Sequence, residues 1–377
     1  MPRQAPRRVL CDCLDCRGLI EEETGGSKPA WKAAAMQDPA PKCLVLFLDL
    51  PGHGAEQDLH TLSLPNLDAV ARDGRIGHLA LRKDAGSRPA PKLSALAQLL
   101  DIHKEYSSIQ VDGTEQKGPW PSLSERYRGL AAGVISGCKE AVQLAQQAGC
   151  SSCRSLEQTF HQISVKPPAP LPSAKTFAMA CLQDLGLRRC LSSTASMRSG
   201  MDALMVDDEE LDLLLVHLTG DSKRQLADRQ CMQEGAATTA KDTGADTLLS
   251  WVDALCGELD ALPNIKESLL LVVLMTVEDS AVASSPFEAD GGPPVTTFFS
   301  TLQRPRQSFE FAGLEEVSVQ QDKSILFAQR LNGVIRQDTS TGFSYEECKQ
   351  GASGGILLER LLPEIAYKLG RAHKYGA

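Results

Sequence analysis

The chain has 377 residues, 42% of them hydrophobic and 23% charged, an ordinary globular mix that excludes a disordered, collagenous or coiled-coil protein and suggests about two domains. Lys and Arg number 39 against 48 Asp and Glu, a formal net charge of −9, and so acidic a surface repels phosphate backbones and anionic lipid, which argues against nucleic acid and membrane as partners. No apolar run approaches the roughly 20 residues that span a bilayer; the longest, such as Leu269 to Met275, have strand length.

Residues 1–42 form an N-terminal extension. Its first eight residues are basic but are followed by Val9, Leu10 and Cys11 rather than an apolar core, so it lacks the form of a secretory signal. A cytoplasmic protein with reduced thiols is expected, organellar import by a short transit peptide being the other reading. The chain holds 12 Cys and 7 His. Its densest thiol groups are Cys11, Cys13 and Cys16, then the pair Cys150 and Cys153. Structural zinc or, for the second group, a redox pair stands against unlinked thiols packed as small apolar groups, which the scattered placement of the cysteines favours.

The first core strand spans Cys43 to Leu48 and is closed by Asp49. The loop Pro51-Gly52-His53-Gly54 follows, then a helix over Pro65 to Arg72 with Leu67, Val70 and Ala71 on one face. Further strands are predicted at Ala131–Ile135, Leu213–Leu218, Leu269–Met275 and Val295–Phe299, with helices at Cys138–Ala148, Thr247–Leu259 and Ile356–Leu369. The last helix carries Leu361, Leu362, Ile365, Ala366 and Leu369 on one face. Short apolar strands alternating with amphipathic helices indicate an α/β fold around a mostly parallel sheet flanked by helices. Lys166 to Ser173 is Pro-rich and fits a linker, and Gly235 to Gly244 is a second low-order stretch. The run Asp207 to Glu210 reads as a solvated turn.

In a parallel sheet, functional side chains gather where strands end. Leu44–Leu48 ends in Asp49, Leu213–Leu218 runs on to Asp221, and Leu269–Met275 runs on to Asp279. Three carboxylates at one sheet edge can bind a divalent cation; Asp is equally at home there as a turn former or helix cap.

The residues around these carboxylates carry a resemblance. Leu46-Phe47-Leu48-Asp49 followed by Leu64-Pro65-Asn66-Leu67-Asp68 and Asp73-Gly74 resembles the opening of the alkaline phosphatase superfamily, in particular its archaeal-type cofactor-independent phosphoglycerate mutases. Gly86-Ser87 with Leu93-Ser94-Ala95-Leu96 is similar to the segment that holds that family's phosphorylated Ser. Val216-His217-Leu218 leading to Asp221, Leu274 to Asp279, Pro293-Pro294-Val295, and Phe343-Ser344 through Leu361-Leu362-Pro363 resemble later segments, all in the family's order. The resemblance implies an alkaline-phosphatase-like core, 43–102 and 211–377, with a smaller inserted α/β cap domain over 103–210. It implies Ser87 as nucleophile beside Arg88, and Asp49, Asp221, Asp279 and Asp290 at metal-ligand positions.

The chain departs from the family at its imidazoles. Gln225, Ser280 and Asp290 stand where the resemblance implies metal-binding His, and Arg88 where it implies Asp. Two metals about 4 Å apart activate the nucleophile and the leaving oxygen in such chemistry. The carboxylates alone suit one Mg2+ or Mn2+, or none. The expectation is a phosphoglycerate-mutase-like protein that has lost its two-metal centre and acts as a scaffold or regulatory binding protein, for a protein partner or a small phosphorylated ligand. The alternative is an active phosphomutase or phosphatase with a rearranged site, recruiting His53, His60, His78 or His217.

Overall fold

The computed structural model describes residues 41–50, 62–83, 93–106, 120–163, 172–187, 210–219, 244–278, 317–351 and 354–373. The described residues form eight strands, β1 (Lys42–Asp49), β2 (Arg75–Arg82), β3 (Ala132–Ser136), β4 (Ser152–Ser155), β5 (Leu213–Thr219), β6 (Leu269–Glu278), β7 (Val319–Arg330) and β8 (Gly355–Leu357). They form one sheet in the order β4-β3-β5-β1-β6-β7-β2-β8. β1 lies between β5 and β6 and is parallel to both, with Leu44 level with Leu214 and Leu271. β7 runs antiparallel to β6 and β2, and the other described pairings are parallel.

The central strands are almost continuously apolar up to their carboxyl ends because both faces of the sheet are covered. Leu44, Leu46 and Leu48 enter a core shared with the helices Pro65–Arg72, Ala174–Asp184 and Gly244–Asp260. Cys43, Val45 and Phe47 point the other way, into a core built with Ser94–Leu99, Lys139–Gln147 and Leu361–Lys368. This period-two alternation fixes which face receives the side chains at the strand ends.

Helix Pro65–Arg72 forms over the predicted residues, with Pro at its start and Leu67, Val70 and Ala71 buried. Leu64, at its N-cap, provides no side-chain cap. Asp253, from helix Gly244–Asp260, takes that role, accepting from the Asn66 and Leu67 N–H groups at 2.9 Å and from Asn66 Nδ2 at 2.8 Å. β7 is tied to the same helix by Arg330, 1% exposed, whose Nη1 donates to Asp260 Oδ2 at 2.7 Å.

The predicted strands at 43, 131, 213 and 269 and helices at 65, 138 and 247 all form, with ends displaced by up to three residues. The last element differs. Instead of one helix from Ile356, Gly355–Leu357 forms β8 against His78–Ala80, a 3-10 turn covers Leu358–Arg360, and the helix spans Leu361–Lys368. Ile356-Leu357-Leu358 is too short an apolar run for its period to separate strand from helix, and the open edge of β2 decides it. The predicted apolar face is buried as expected at Leu361, Leu362, Ile365, Ala366 and Leu369. Segment 103–210, expected as an inserted cap, supplies β3 and β4, which extend the main sheet beyond β5. The residues named above at Cys11–Cys16, Asp207–Asp208 and Val295–Phe299 lie outside the described residues, as does most of the Pro-rich stretch.

Candidate functional site

Five neighbouring strands each contribute one polar side chain to the same face of the sheet, near the carboxyl ends of its parallel strands. Taken across the sheet they are Ser136 (β3), His217 (β5), Asp49 (β1), Thr276 (β6) and Lys323 (β7). All five follow the alternation of the core that contains Phe47, Leu215, Leu274 and Ile325. Ser136 and His217 are level in the β3–β5 register, and Phe47 is level with His217, which sets Asp49 two residues further along the same face.

The row is linked by short contacts. Ser136 Oγ accepts from the Cys138 N–H at 3.1 Å and lies 2.9 Å from His217 Nδ1. His217 Nε2 faces Asp49 Oδ2 at 3.9 Å, too long for a hydrogen bond but close enough for electrostatic attraction when the ring is protonated. Thr276 Oγ1 donates to Asp49 Oδ1 at 3.0 Å, and Lys323 Nζ approaches the same oxygen at 3.4 Å. Ser136, His217 and Thr276 are wholly buried and Asp49 is 8% exposed, while the Lys323 side chain keeps 24% of its surface. The Phe47 ring packs against the imidazole with centroids 5.2 Å apart.

Burial on its own would lift the Asp49 carboxyl. His217, the Lys323 ammonium and the Thr276 hydroxyl outweigh it and hold the pKa down at about 2. Asp49 is therefore an anion with a cation of the protein's own beside it.

A divalent ion at Asp49 has to contend with that ammonium. A +2 and a +1 charge about 4 Å apart repel by on the order of 8 kcal/mol at an effective dielectric near 20, so an ion binds there only once Lys323 has swung out towards solvent. No group of three or more His, Cys, Asp and Glu that could hold a metal occurs among the described residues. Among the described residues, Asp49 and His217 are the metal-ligating side chain types at this strand end, too few for a metal pair by themselves.

Of the residues named from sequence, Asp49 is at the strand end as expected. Ser87, Arg88, Asp221, Asp279 and Asp290 lie outside the described residues, as do His53 and His60. His217 is buried in the sheet and also meets Asp49. His78 sits between Ile76 and Ala80, which belong to the opposite core, so it faces away from Asp49. Its ring meets Tyr345 edge-on at 5.6 Å, and burial pushes its pKa down to about 3. It is a neutral core residue and no replacement ligand. Nothing in the local sequence marks Ser136; for Lys323, its alternation with Ile325 and Phe327 is the signal that a cation lies on the inward face.

The chain matches no protein-family profile and no curated protein. Among solved structures it is similar to the PH0037 protein of Pyrococcus horikoshii, at 14% identity and TM-score 0.46 over 90% of this chain and 99% of that one. It is similar also to the PsFucS1 sulfatase from Pseudoalteromonas sp., at 15% identity and TM-score 0.40 over 90% and 70% of the two chains. A protein in the alkaline phosphatase superfamily from Vibrio parahaemolyticus gives 10% identity and TM-score 0.39 over 88% and 67%. At these identities and TM-scores the likenesses assign neither a family nor an activity. The fold itself is the mostly parallel, helix-flanked α/β arrangement that the sequence resemblance implies.

Proposed function

We propose that this chain is a phosphatase-like α/β protein that has given up two-metal phosphotransfer and acts as a scaffold or regulatory binding protein. The observation that supports this reading is Lys323 against Asp49. Where the resemblance implies a metal-bound carboxylate, an internal ammonium neutralises it, and Gln225, Ser280 and Asp290 replace the imidazoles that would fix a metal pair. A Ser87 hydroxyl that no metal ligates is a weak nucleophile. The ligand in this reading is a protein partner or a small phosphorylated molecule, with Arg88 available to pair with phosphate oxygen.

One observation favours turnover instead. His217 Nε2 is buried without a hydrogen bond and lies 3.9 Å from Asp49 Oδ2, about half an ångström beyond the roughly 3.4 Å between two tetrahedral ligands of one ion, so a small ring movement would bring both onto it. In that reading one divalent cation, held by Asp49 and His217 once Lys323 moves aside, would serve a Ser87 nucleophile. Metal content of the purified chain after incubation with Mn2+, Mg2+ or Zn2+, followed by phosphatase and phosphoglycerate mutase assays, separates the two. The scaffold reading expects no stoichiometric metal and no turnover; tightly bound metal together with turnover abolished by Ser87→Ala would reject it.

A further inference from the structure

We infer that Cys150 and Cys153 form a reversible redox pair, a dithiol that closes to a disulfide by exchange with a low-molecular-weight disulfide, with Cys153 as the attacking thiol. The pair lies at β4, the terminal strand of the sheet, on a different element from the Asp49 row, and the inference stands apart from the phosphatase-like reading. All seven described cysteines are free thiols; Cys43, Cys138, Cys181, Cys256 and Cys348 are buried, whereas Cys150 and Cys153 are each partly exposed. Burial makes the first group inert and leaves this pair as the reachable thiols among the described residues.

The turn that carries the pair is held on three sides. The Cys150 N–H donates to the Ala145 carbonyl at 3.1 Å, closing the end of helix Lys139–Gln147, and the Ser151 N–H donates to the Ala132 carbonyl of β3 at 2.8 Å. Gly149 has φ +75°, and a Cβ there would come within 2.7 Å of the Ser122 backbone, so the approach to Cys150 is fixed in a form that only glycine takes without strain. On this frame Cys153 turns back over the loop, its Sγ donating to the Cys150 carbonyl oxygen at 3.8 Å. The neighbouring Cys153 thiol, together with burial, raises Cys150 well above its usual range, and Cys150 in turn lowers Cys153, so thiolate forms first on Cys153, the form that attacks.

The exchange balances as follows. The Cys153 thiolate attacks one sulfur of the external disulfide and expels the other as thiolate. Cys150, losing its proton, then attacks the Cys153 sulfur of the mixed disulfide and expels the second thiolate. The protein dithiol is oxidised by two electrons, and the external disulfide is reduced to two thiols. The product ties the turn after the helix to the edge strand.

Trypsin cleavage after Lys139 and Arg154 yields a peptide, residues 140–154, that holds these two cysteines and no others. The full-length chain is equilibrated in glutathione and glutathione disulfide mixtures of graded ratio, alkylated, denatured and digested. The expected result is a progressive shift of this peptide to an unalkylated form lighter by two hydrogens as the mixture becomes oxidising. In Cys150→Ser, Cys153 should retain a glutathione mixed disulfide, and in Cys153→Ser, Cys150 should react at least tenfold more slowly. Double alkylation of the wild-type peptide at every ratio would overturn the proposal, and this readout is independent of the variants. Faster reaction of Cys150 in Cys153→Ser than of Cys153 in Cys150→Ser would overturn the assigned order of attack.

Discussion

Asp49 sits almost without solvent at the end of an apolar strand, and such a carboxylate persists only if its charge is met. Its pKa in the folded protein, about 2, lies below the ordinary 3.8, so its contribution to stability is fully present above the ordinary value and is lost as the pH falls through about 2. The shift corresponds to about 2 kcal/mol. Denaturant unfolding of the wild-type chain and Asp49→Asn at a series of pH values should show a stability difference that narrows by about 2 kcal/mol as the pH falls from above 3.8 through about 2. A difference independent of pH would mean that Lys323 and His217 do not favour the ionised form.

The same residue shows what a sequence can and cannot disclose. Asp49 was legible because it closes an apolar run, the place where a parallel sheet gathers its chemistry. Its counter-ion was not, because Lys323 comes from an antiparallel strand 274 positions along the chain, and no local pattern pairs residues so far apart. His217 is legible as a residue of an apolar strand; the register against Phe47 sets it among apolar side chains and directs its ring at Asp49.

At the scale of elements, helix Pro65–Arg72 relies on a borrowed cap. Asp253 satisfies two backbone N–H groups that the helix cannot satisfy itself, so Asp253→Ala should destabilise the protein by about 1 to 3 kcal/mol and lower the Tm. Asp253→Asn, which keeps an acceptor, should recover part of that loss. Arg330 and Asp260 join β7 to the same helix through a buried charge pair. Removing one partner by Arg330→Met leaves Asp260 with Lys266 Nζ at 3.3 Å as its remaining counter-ion and should cost about 1 to 3 kcal/mol, read by equilibrium unfolding in urea. The apolar strands and the helices with a clear buried face were legible from periodicity. β7 was not, because its first half, Val319-Gln320-Gln321-Asp322-Lys323, is largely polar, and β8 was not, because a three-residue strand exists only through its partner β2.

At the scale of the molecule, the α/β class followed from sequence because alternation of strand and helix is a local property. The strand order was not legible. Placing β3 and β4 on the far side of β5 depends on which apolar edges meet, and it gives segment 103–210 a share of the main sheet where a separate cap was expected. No described helix is long and apolar enough to cross a membrane.

In the proposed scaffold reading, the Lys323 ammonium occupies the place beside Asp49 that a bound cation would take. Calorimetric titration of the metal-free chain and of Lys323→Met with Mn2+ tests it most directly. The expected result is no saturable binding by the wild-type chain in the micromolar range and an affinity at least tenfold higher in Lys323→Met, abolished again when Asp49→Asn is added. Tight binding of two Mn2+ per wild-type chain, unchanged by Lys323→Met, would contradict it.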